Sequence, residues 1–414
     1  MTIVSLESLS FGLGRTAEAA AAAGHRLCLL TADRSVYLHE LSVLPAGAVT
    51  VVDVDTFDRD AVRRALGALP GLAGLINTTD TWSLPAAELA AEFGLPGPDP
   101  AAVRVLRDKA EVRRRLHAAG LSAGAALPVA ADPSAAGEVV RRIGLPAVVK
   151  DRAGTSSRDV WITPDKDALR RALTEAGERG LDGRLFAEPY LAGPLYSAET
   201  LGFGGETRLL GVFSRQTSRR PAVREEAAAF PVALGAELTA EVAGWVGRVL
   251  AAAGHTDGFA HVEFVLTAQG PELVEINRRI GGALVGEALC RALGTNVYEA
   301  LVATTLGRRP ALLDGLRSDG AAGHDGHAVA FVLVYADRTG TLTGWDGLDG
   351  LAAFPGAVRW YPTREPGAVL AHTGDQRGCT GMVWAEGPTA ELAMHRAWSA
   401  AVTVRPLMRD APVG

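Results

Sequence analysis

The sequence predicts a multidomain protein of mixed architecture, α/β at its start and α+β beyond, and three observations carry that expectation. Strand and helix signals alternate through the first 97 residues, the pattern of a small doubly wound, Rossmann-like unit. Two stretches rich in Gly, Pro, Asp or Ser, residues 94–100 and 317–326, punctuate the chain as connectors. Elsewhere, short strand patterns follow one another through tight glycine-containing turns, as antiparallel sheets require. The expected division is 1–97, 98–316 and 327–414, the last a small α+β cap.

Composition narrows the function classes. The chain has 414 residues, 48% hydrophobic and 21% charged, with a formal net charge of -6, so it offers no basic footprint for nucleic acid. Cys28, Cys290 and Cys379 are isolated and odd in number, which suits neither a disulfide framework nor a zinc site and fits a reducing cytoplasm. No apolar run is long enough to span a bilayer and no leader pattern opens the chain. Among 41 basic residues only Lys109, Lys150 and Lys166 are lysines, and Asn occurs only at 77, 277 and 296. Where arginine is the default cation, a surviving lysine marks a place that needs a compact ammonium and not a guanidinium fork.

In the first segment strands are expected at 2–6, 26–30, 49–54 and 72–77, with an alanine-rich helix at 15–23. Gly12-Leu-Gly14-Arg-Thr-Ala17 matches a dinucleotide-binding string, with Asp33 near the place of a ribose-binding acid. In a chain of 48 glycines, a βα turn that needs glycine for its backbone is the simpler account. Asn77-Thr-Thr-Asp80 falls at a strand's C-terminal end, where open sheets bind ligands, and a helix N-cap at Asp80 or Thr81 explains it equally.

The second segment holds the chemistry. Residues 101–119 read as one helix, with Val105, Leu106, Val112 and Leu116 on its apolar face and Gly120 as its stop. Lys109 lies within it, either solvated or reaching a ligand. Lys150 ends a buried-type strand, and the turn of Gly154, Thr155, Ser156 and Ser157 leads into a strand at 160–162. Such a turn can fold N–H groups over phosphates or simply close a hairpin. A strand ending in Glu188, followed by Pro189, Tyr190 and Leu191, has the linker groups and apolar side chains that an adenine pocket uses. Strands at 196–202 and 209–214 join through Gly204-Gly205, and the basic, aperiodic stretch 215–224 reads either as a mobile loop near an anionic substrate or as an ordinary solvated loop.

After a helix at 239–253, strand patterns at 260–266 and 272–276 flank a Thr-Ala-Gln-Gly-Pro turn. Glu263, Glu275 and Asn277 then bring hard oxygen donors to one place, a set that suits Mg²⁺ with positions left for phosphate oxygens. Helices are expected at 283–293 and 297–306. The last segment should contain strands at 328–335, 358–361 and 381–385 and a helix at 389–402.

Taken together, Asp108-Lys109, Lys150 with its Gly/Ser turn, Glu188, and Glu263 followed by Glu275-Ile-Asn277-Arg-Arg279-Ile-Gly-Gly resemble the ATP-grasp superfamily of carboxylate–amine ligases, and within it the bacterial L-amino-acid ligases of natural-product type. The resemblance implies a nucleotide fold clasped between two α+β subdomains, behind a Rossmann-like domain and before a C-terminal cap. It implies that Lys109 and Lys150 meet the ATP phosphates and that Gly154, Thr155, Ser156 and Ser157 cover them. Glu188 and the backbone around Tyr190 and Leu191 would hold adenine. Glu263, Glu275 and Asn277 would hold two Mg²⁺ ions, with Mn²⁺ as an alternative, and Arg279 would face the transferred phosphoryl group, with Lys150 the other catalytic cation. Departures are Leu195 where an acid commonly takes the ribose, with Glu199 as a substitute, Arg278 in place of a proline, and Asp151, Arg158 and Asp159 in the phosphate turn.

The implied reaction joins an amino-acid-like carboxylate to an amine through an acyl phosphate, with ADP released. Its partners would be small molecules, with a homodimer as a family-level expectation and neither nucleic acid nor membrane involved. His261 is a substrate contact, a base or a packed strand residue. Other readings are a carboxylase or purine-pathway ligase, an ATP-binding regulator without catalysis, and a nicotinamide enzyme built on the Gly12 string.

Overall fold

The computed structural model describes residues 1–155, 157–219, 223–316 and 326–410. Ser156, residues 220–222 and nearly all of the 317–326 connector therefore lie outside the described residues.

The first four strands, β1 (Thr2–Leu6), β2 (Arg26–Thr31), β3 (Val49–Asp53) and β4 (Leu72–Ile76), form a parallel sheet in the order β3-β2-β1-β4. Its central runs are apolar and buried on both faces, as parallel strands covered by helices must be. Gly12 sits before helix Leu13–Ala22 at φ +99°, and a Cβ there would lie 2.0 Å from the Tyr298 hydroxyl. The glycine is a close-approach device. The N–H of Gly14 donates to Glu40 Oε2 at 3.0 Å, and Asp33 accepts from the Ser35 N–H, so the dinucleotide string is absorbed by packing and capping.

The second sheet contains β5 (Leu127–Val129), β6 (Ala147–Asp151), β7 (Val160–Thr163) and β8 (Leu185–Pro189), antiparallel in the order β5-β8-β6-β7. The third runs through β9 (Leu195–Phe203), β10 (Glu206–Thr217), β11 (Glu225–Phe230), β12 (Gly258–Thr267) and β13 (Gly270–Asn277). The remaining strands are β14 (Ala328–Tyr335), β15 (Gly340–Asp346), β16 (Arg359–Pro362), β17 (Val369–Leu370), β18 (Cys379–Gly387) and β19 (Arg405–Arg409). Of these, β14, β18 and β16 continue the third sheet, giving eight strands in the order β13-β12-β9-β10-β11-β14-β18-β16, while β17, β15 and β19 form a small sheet of their own.

Two local expectations are corrected. The 101–119 helix is two helices, Pro100–Leu106 and Lys109–Ala118, because Asp108 leaves helical geometry and accepts the Glu111 N–H at 3.2 Å as an N-cap. Residues 215–217 belong to β10 and not to a loop, so the basic stretch begins inside the sheet.

One hydrophobic core joins the segments. It contains Ile3, Leu13 and Leu29 from the N-terminal unit, Phe213, Phe230 and Val285 from the middle, and Val329, Phe331 and Trp384 from the last strands. This shared core brings the C-terminal end of β4 over the β12–β13 hairpin. No helix among the described residues is long and apolar enough to cross a membrane.

Candidate active site

The hairpin places its donors by register. Glu263 on β12 lies opposite Glu275 on β13, and His261 lies opposite Asn277, so opposed side chains share one face of the sheet. All four line a cavity of about 520 Å³ together with Lys109, Lys150, Arg279, Gly154, Thr155, Ser157, Glu188, Tyr190 and Leu191. Thus every expected site residue within the described chain reaches the same cavity. Among the described residues no group of three His, Cys, Asp or Glu side chains is arranged as a metal site, and the Glu263, Glu275 and Asn277 set is two carboxylates and an amide.

Lys109 opens its helix at the first position. Its Nζ lies 3.2 Å from Glu275 Oε1 and also donates to the Gly154 carbonyl, which ties the phosphate-type turn to the hairpin. Lys150, at the end of β6, is buried with its Nζ 2.6 Å from Glu188 Oε1, 3.3 Å from the Val274 carbonyl and 5.3 Å from the centre of the Phe186 ring. Glu188 also accepts from Arg113 Nε at 3.0 Å. Burial opposes a charge on Glu188, but Arg113 and Lys150 together hold its carboxyl below the ordinary range. The Glu188 side chain is therefore committed to two cations, and only its backbone is left for a base.

The departures in the turn have structural reasons. Asp151 is buried, accepts the Ala153 N–H at 3.0 Å and pairs with Arg184. Asp159 takes Arg179 Nη1 at 2.7 Å. Leu195 lines the cavity, whereas Glu199 is buried and is not among the residues that line it. Its carboxylate receives Ser197 Oγ at 3.1 Å and lies 2.5 Å from His261 Nδ1.

His261 links two carboxylates, with Nε2 3.2 Å from Glu263 Oε1. Burial alone would lower its pKa, but Glu199 and then Glu263 push it up to about 9. Burial likewise acts against the Glu263 charge, yet the His261 hydrogen bond and Arg215 bring it down to about 2. Gly281 makes room for this imidazole, since a Cβ there would lie 2.7 Å from His261 Nδ1. Arg279 reaches the N-terminal unit, with Nε 2.9 Å from Asp80 Oδ2. With its amide oriented to satisfy its neighbours, Asn277 donates to Glu275 Oε1 at 2.9 Å and to Asp80 Oδ1 at 3.2 Å.

Sequence reading did not single out Arg113 or Glu225, placed Arg215 in a loop near an anionic substrate, and left Asp80 between a cap and a ligand position. Arg113 stands four residues after Lys109 and so on the same helix face, a usable signal. Asp80 does not cap the helix that follows, whose N-cap is Trp82 without a side-chain bond.

Comparison with known proteins agrees with this geometry. The family model of the ATP-grasp domain matches residues 143–287, the stretch that carries Lys150, the turn, Glu188 and the hairpin. The fold of the whole chain superposes on the crystal structure of an L-amino acid ligase from Bacillus licheniformis with a TM-score of 0.78, at 19% identity and covering 99% of each chain. Residues 143–287 of the chain are an ATP-grasp domain.

Further along the chain, residues 332–409 match the model of the L-amino acid ligase C-terminal domain 2. An uncharacterized protein y4rH of Sinorhizobium fredii is 28% identical over 379 residues, 88% of this chain and 74% of that protein. Human carnosine synthase 1 is 26% identical over 261 residues, 58% of this chain, and the match spans only 31% of that longer protein. The expected mixed α/β and α+β architecture, with a parallel-sheet N-terminal unit, antiparallel sheets and a small last segment, is the observed one.

Proposed function

We propose that the protein is an ADP-forming ligase that joins an amino-acid-like carboxylate to an amine or amino acid, in small-peptide or natural-product biosynthesis. The observation that carries this reading is convergence. Two of the three lysines, Lys109 and Lys150, meet Glu263, Glu275, Asn277 and Arg279 around one cavity. The far wall of that cavity comes from Leu333, Cys379 and Met382, within the segment that matches the L-amino acid ligase model.

In this reading the adenine of ATP lies among Val148, Ile162 and Leu191, with the hinge backbone at Tyr190 along its edge, and Lys150 and Lys109 neutralise the phosphates. Gly154, Thr155, Ser156 and Ser157 close over them. Glu263 and Glu275 fit Mg²⁺ by donor chemistry, since both offer hard oxygens on one face of the hairpin, and Asn277 would join them through its amide oxygen once its NH₂ turns away from Glu275 and Asp80. When bound there, the ions would screen the charge that builds on the transferring phosphoryl group. Arg279, held by Asp80, faces that group, and the carboxylate oxygen forms a bond to the γ-phosphorus as the bond to ADP breaks. The amine nitrogen then forms the C–N bond while the acyl C–O bond breaks. Phosphate departs with the electron pair, and the amine's protons pass to phosphate and solvent. Water must be kept from the acyl phosphate, which suits a cavity roofed by two sheets.

The division at 1–97, 98–316 and 327–414 is part of the same proposal, with the eight-stranded sheet as the element that couples the last two units. So are a homodimer and a cytoplasmic setting, the latter consistent with three buried free cysteines. A phosphate-release screen over pairs of amino acids, followed by mass spectrometry of the products, tests the reading. Release that responds to bicarbonate and to no amino acid would replace it with a carboxylase. Glu275→Gln should keep the fold and lose turnover, and unchanged phosphate release in that variant would remove the metal assignment.

A further inference from the structure

Arg215 on β10 and Glu225 on β11 form an ion pair to which neither the ATP nor the metal reading gives a task. Arg215 Nη2 lies 2.9 Å from Glu225 Oε2 and 3.6 Å from Glu263 Oε1. Both side chains are more than nine-tenths buried, at 9% and 8% exposure, and both line the cavity. Among the described residues one polar atom of each has no partner, Nη1 of Arg215 and Oε1 of Glu225. A bare buried guanidinium donor and a bare buried carboxylate oxygen are each unfavourable. Side by side, they define a ligand that brings one acceptor and one donor.

The sheet order says where that ligand sits. From β13 the strands run β12, β9, β10, β11 and β14, so Glu275 and Glu263 mark the phosphate side and Arg215 and Glu225 lie beyond, toward Leu333, Cys379 and Met382. The pair is held from outside the cavity. The Tyr335 hydroxyl donates to the Glu225 carbonyl at 2.6 Å, and the Arg224 guanidinium stacks 4.0 Å from the Tyr335 ring centre. On the ligase reading, a carboxylate phosphorylated near Glu263 and Arg279 would lie between the nucleotide and this pair, so an attacking amine would approach from the side of the pair.

We propose that Arg215 and Glu225 hold the attacking amine. Its N–H donates to Glu225 Oε1 while an oxygen of the same molecule accepts from Arg215 Nη1, so the amine substrate is itself an amino acid or another amine bearing a carboxylate. This rests on the ligase reading above. Arg215 is also the positioning residue for Glu225, because its other nitrogen fixes the carboxylate's orientation.

The test uses the full chain with MgATP and a responding carboxylate, and compares two nucleophiles. Hydroxylamine traps the acyl phosphate as a hydroxamate and has no carboxylate for the pair to hold. Amino acids are compared in parallel with their decarboxylated amines, such as L-alanine against ethylamine. In the wild type the decarboxylated amine should have a KM at least about 30-fold higher, the loss expected when one member of a buried charged contact goes unmet. In Glu225→Gln the ratio of amide to hydroxamate should fall about 30-fold or more, through the KM for the amine, and in Arg215→Lys the preference for the carboxylate-bearing amine should narrow. Equal loss of amide and hydroxamate would place the pair at the acyl donor and overturn the assignment. So would an unchanged ratio, or a wild type indifferent to the amine's carboxylate, a result that needs no variant to fold. A wild type that forms neither product with any carboxylate sinks the ligase reading, and this inference with it.

Discussion

Arg279 and Asp80 form a half-buried ion pair, with Arg279 Nε 2.9 Å from Asp80 Oδ2, across 199 positions of sequence. It is one point at which the N-terminal unit takes part in the site, beside Leu9, Ser10 and Phe11 in the cavity wall. Burial alone would raise the Asp80 carboxyl, but the Arg279 guanidinium holds it below the ordinary range. Asp80 therefore meets Arg279 as a full charge and fixes the fork of the arginine proposed to face the phosphoryl group.

Asp80→Asn should leave the fold and ATP binding in place and lower kcat by about 100-fold, the scale of loss when a reacting group is misplaced by an ångström. Steady-state kinetics beside a nucleotide-binding titration checks this. A matching loss of nucleotide affinity would mean that Asp80 serves the fold of the site and not Arg279.

Lys150→Arg should be nearly inactive although the charge is kept. The ammonium fits between Glu188 Oε1 at 2.6 Å, the Val274 carbonyl at 3.3 Å and the Phe186 ring, and a planar fork has no room to make the same contacts. The readout is ADP release at saturating ATP, with circular dichroism to confirm the fold. Near-normal turnover would show that the site asks only for a positive charge.

His255 makes stability sensitive to acid. Burial, with Arg278 beside it, lowers its pKa from 6.5 to about 3. Below pH 6.5 the unfolded chain binds a proton that the folded chain refuses, so this contribution is present above pH 6.5 and is lost as the pH falls toward 3. The slope is up to about 1.4 kcal/mol per pH unit. Urea unfolding of the wild type and of His255→Gln between pH 7 and 4 measures it, and the variant should show the shallower decline. Parallel curves would mean that His255 is protonated in the fold.

The hairpin was legible in the sequence because its information is local. Alternation fixes which side chains share a face, and Glu263, Glu275 and Asn277 needed only that rule to converge. Lys109 and Lys150 were legible for a compositional reason, since a chain that uses arginine almost everywhere exposes the lysines it keeps. The break between the two helices at Asp108 was available as a capping box, Asp108 with Glu111 three residues on, and was hidden by the apolar periodicity on either side. Glu225 was not legible as a site member, Arg215 only as part of a loop near an anionic substrate and Asp80 only as a cap or ligand position, because their partners come from other strands or another unit, and pairing across a sheet is decided by the whole fold. The same holds for the pairing of β11 with β14, since β12, β13 and several helices lie between the two strands in sequence.

The proposed function turns on activation of the carboxylate by phosphorylation. It is tested most directly by turning over a carboxylate substrate labelled with ¹⁸O in both oxygens and reading the released phosphate by mass spectrometry. Transfer of the γ-phosphoryl group to the carboxylate should leave one ¹⁸O in each phosphate formed, with ADP as the nucleotide product. Label found in AMP, or phosphate released without label, would contradict it.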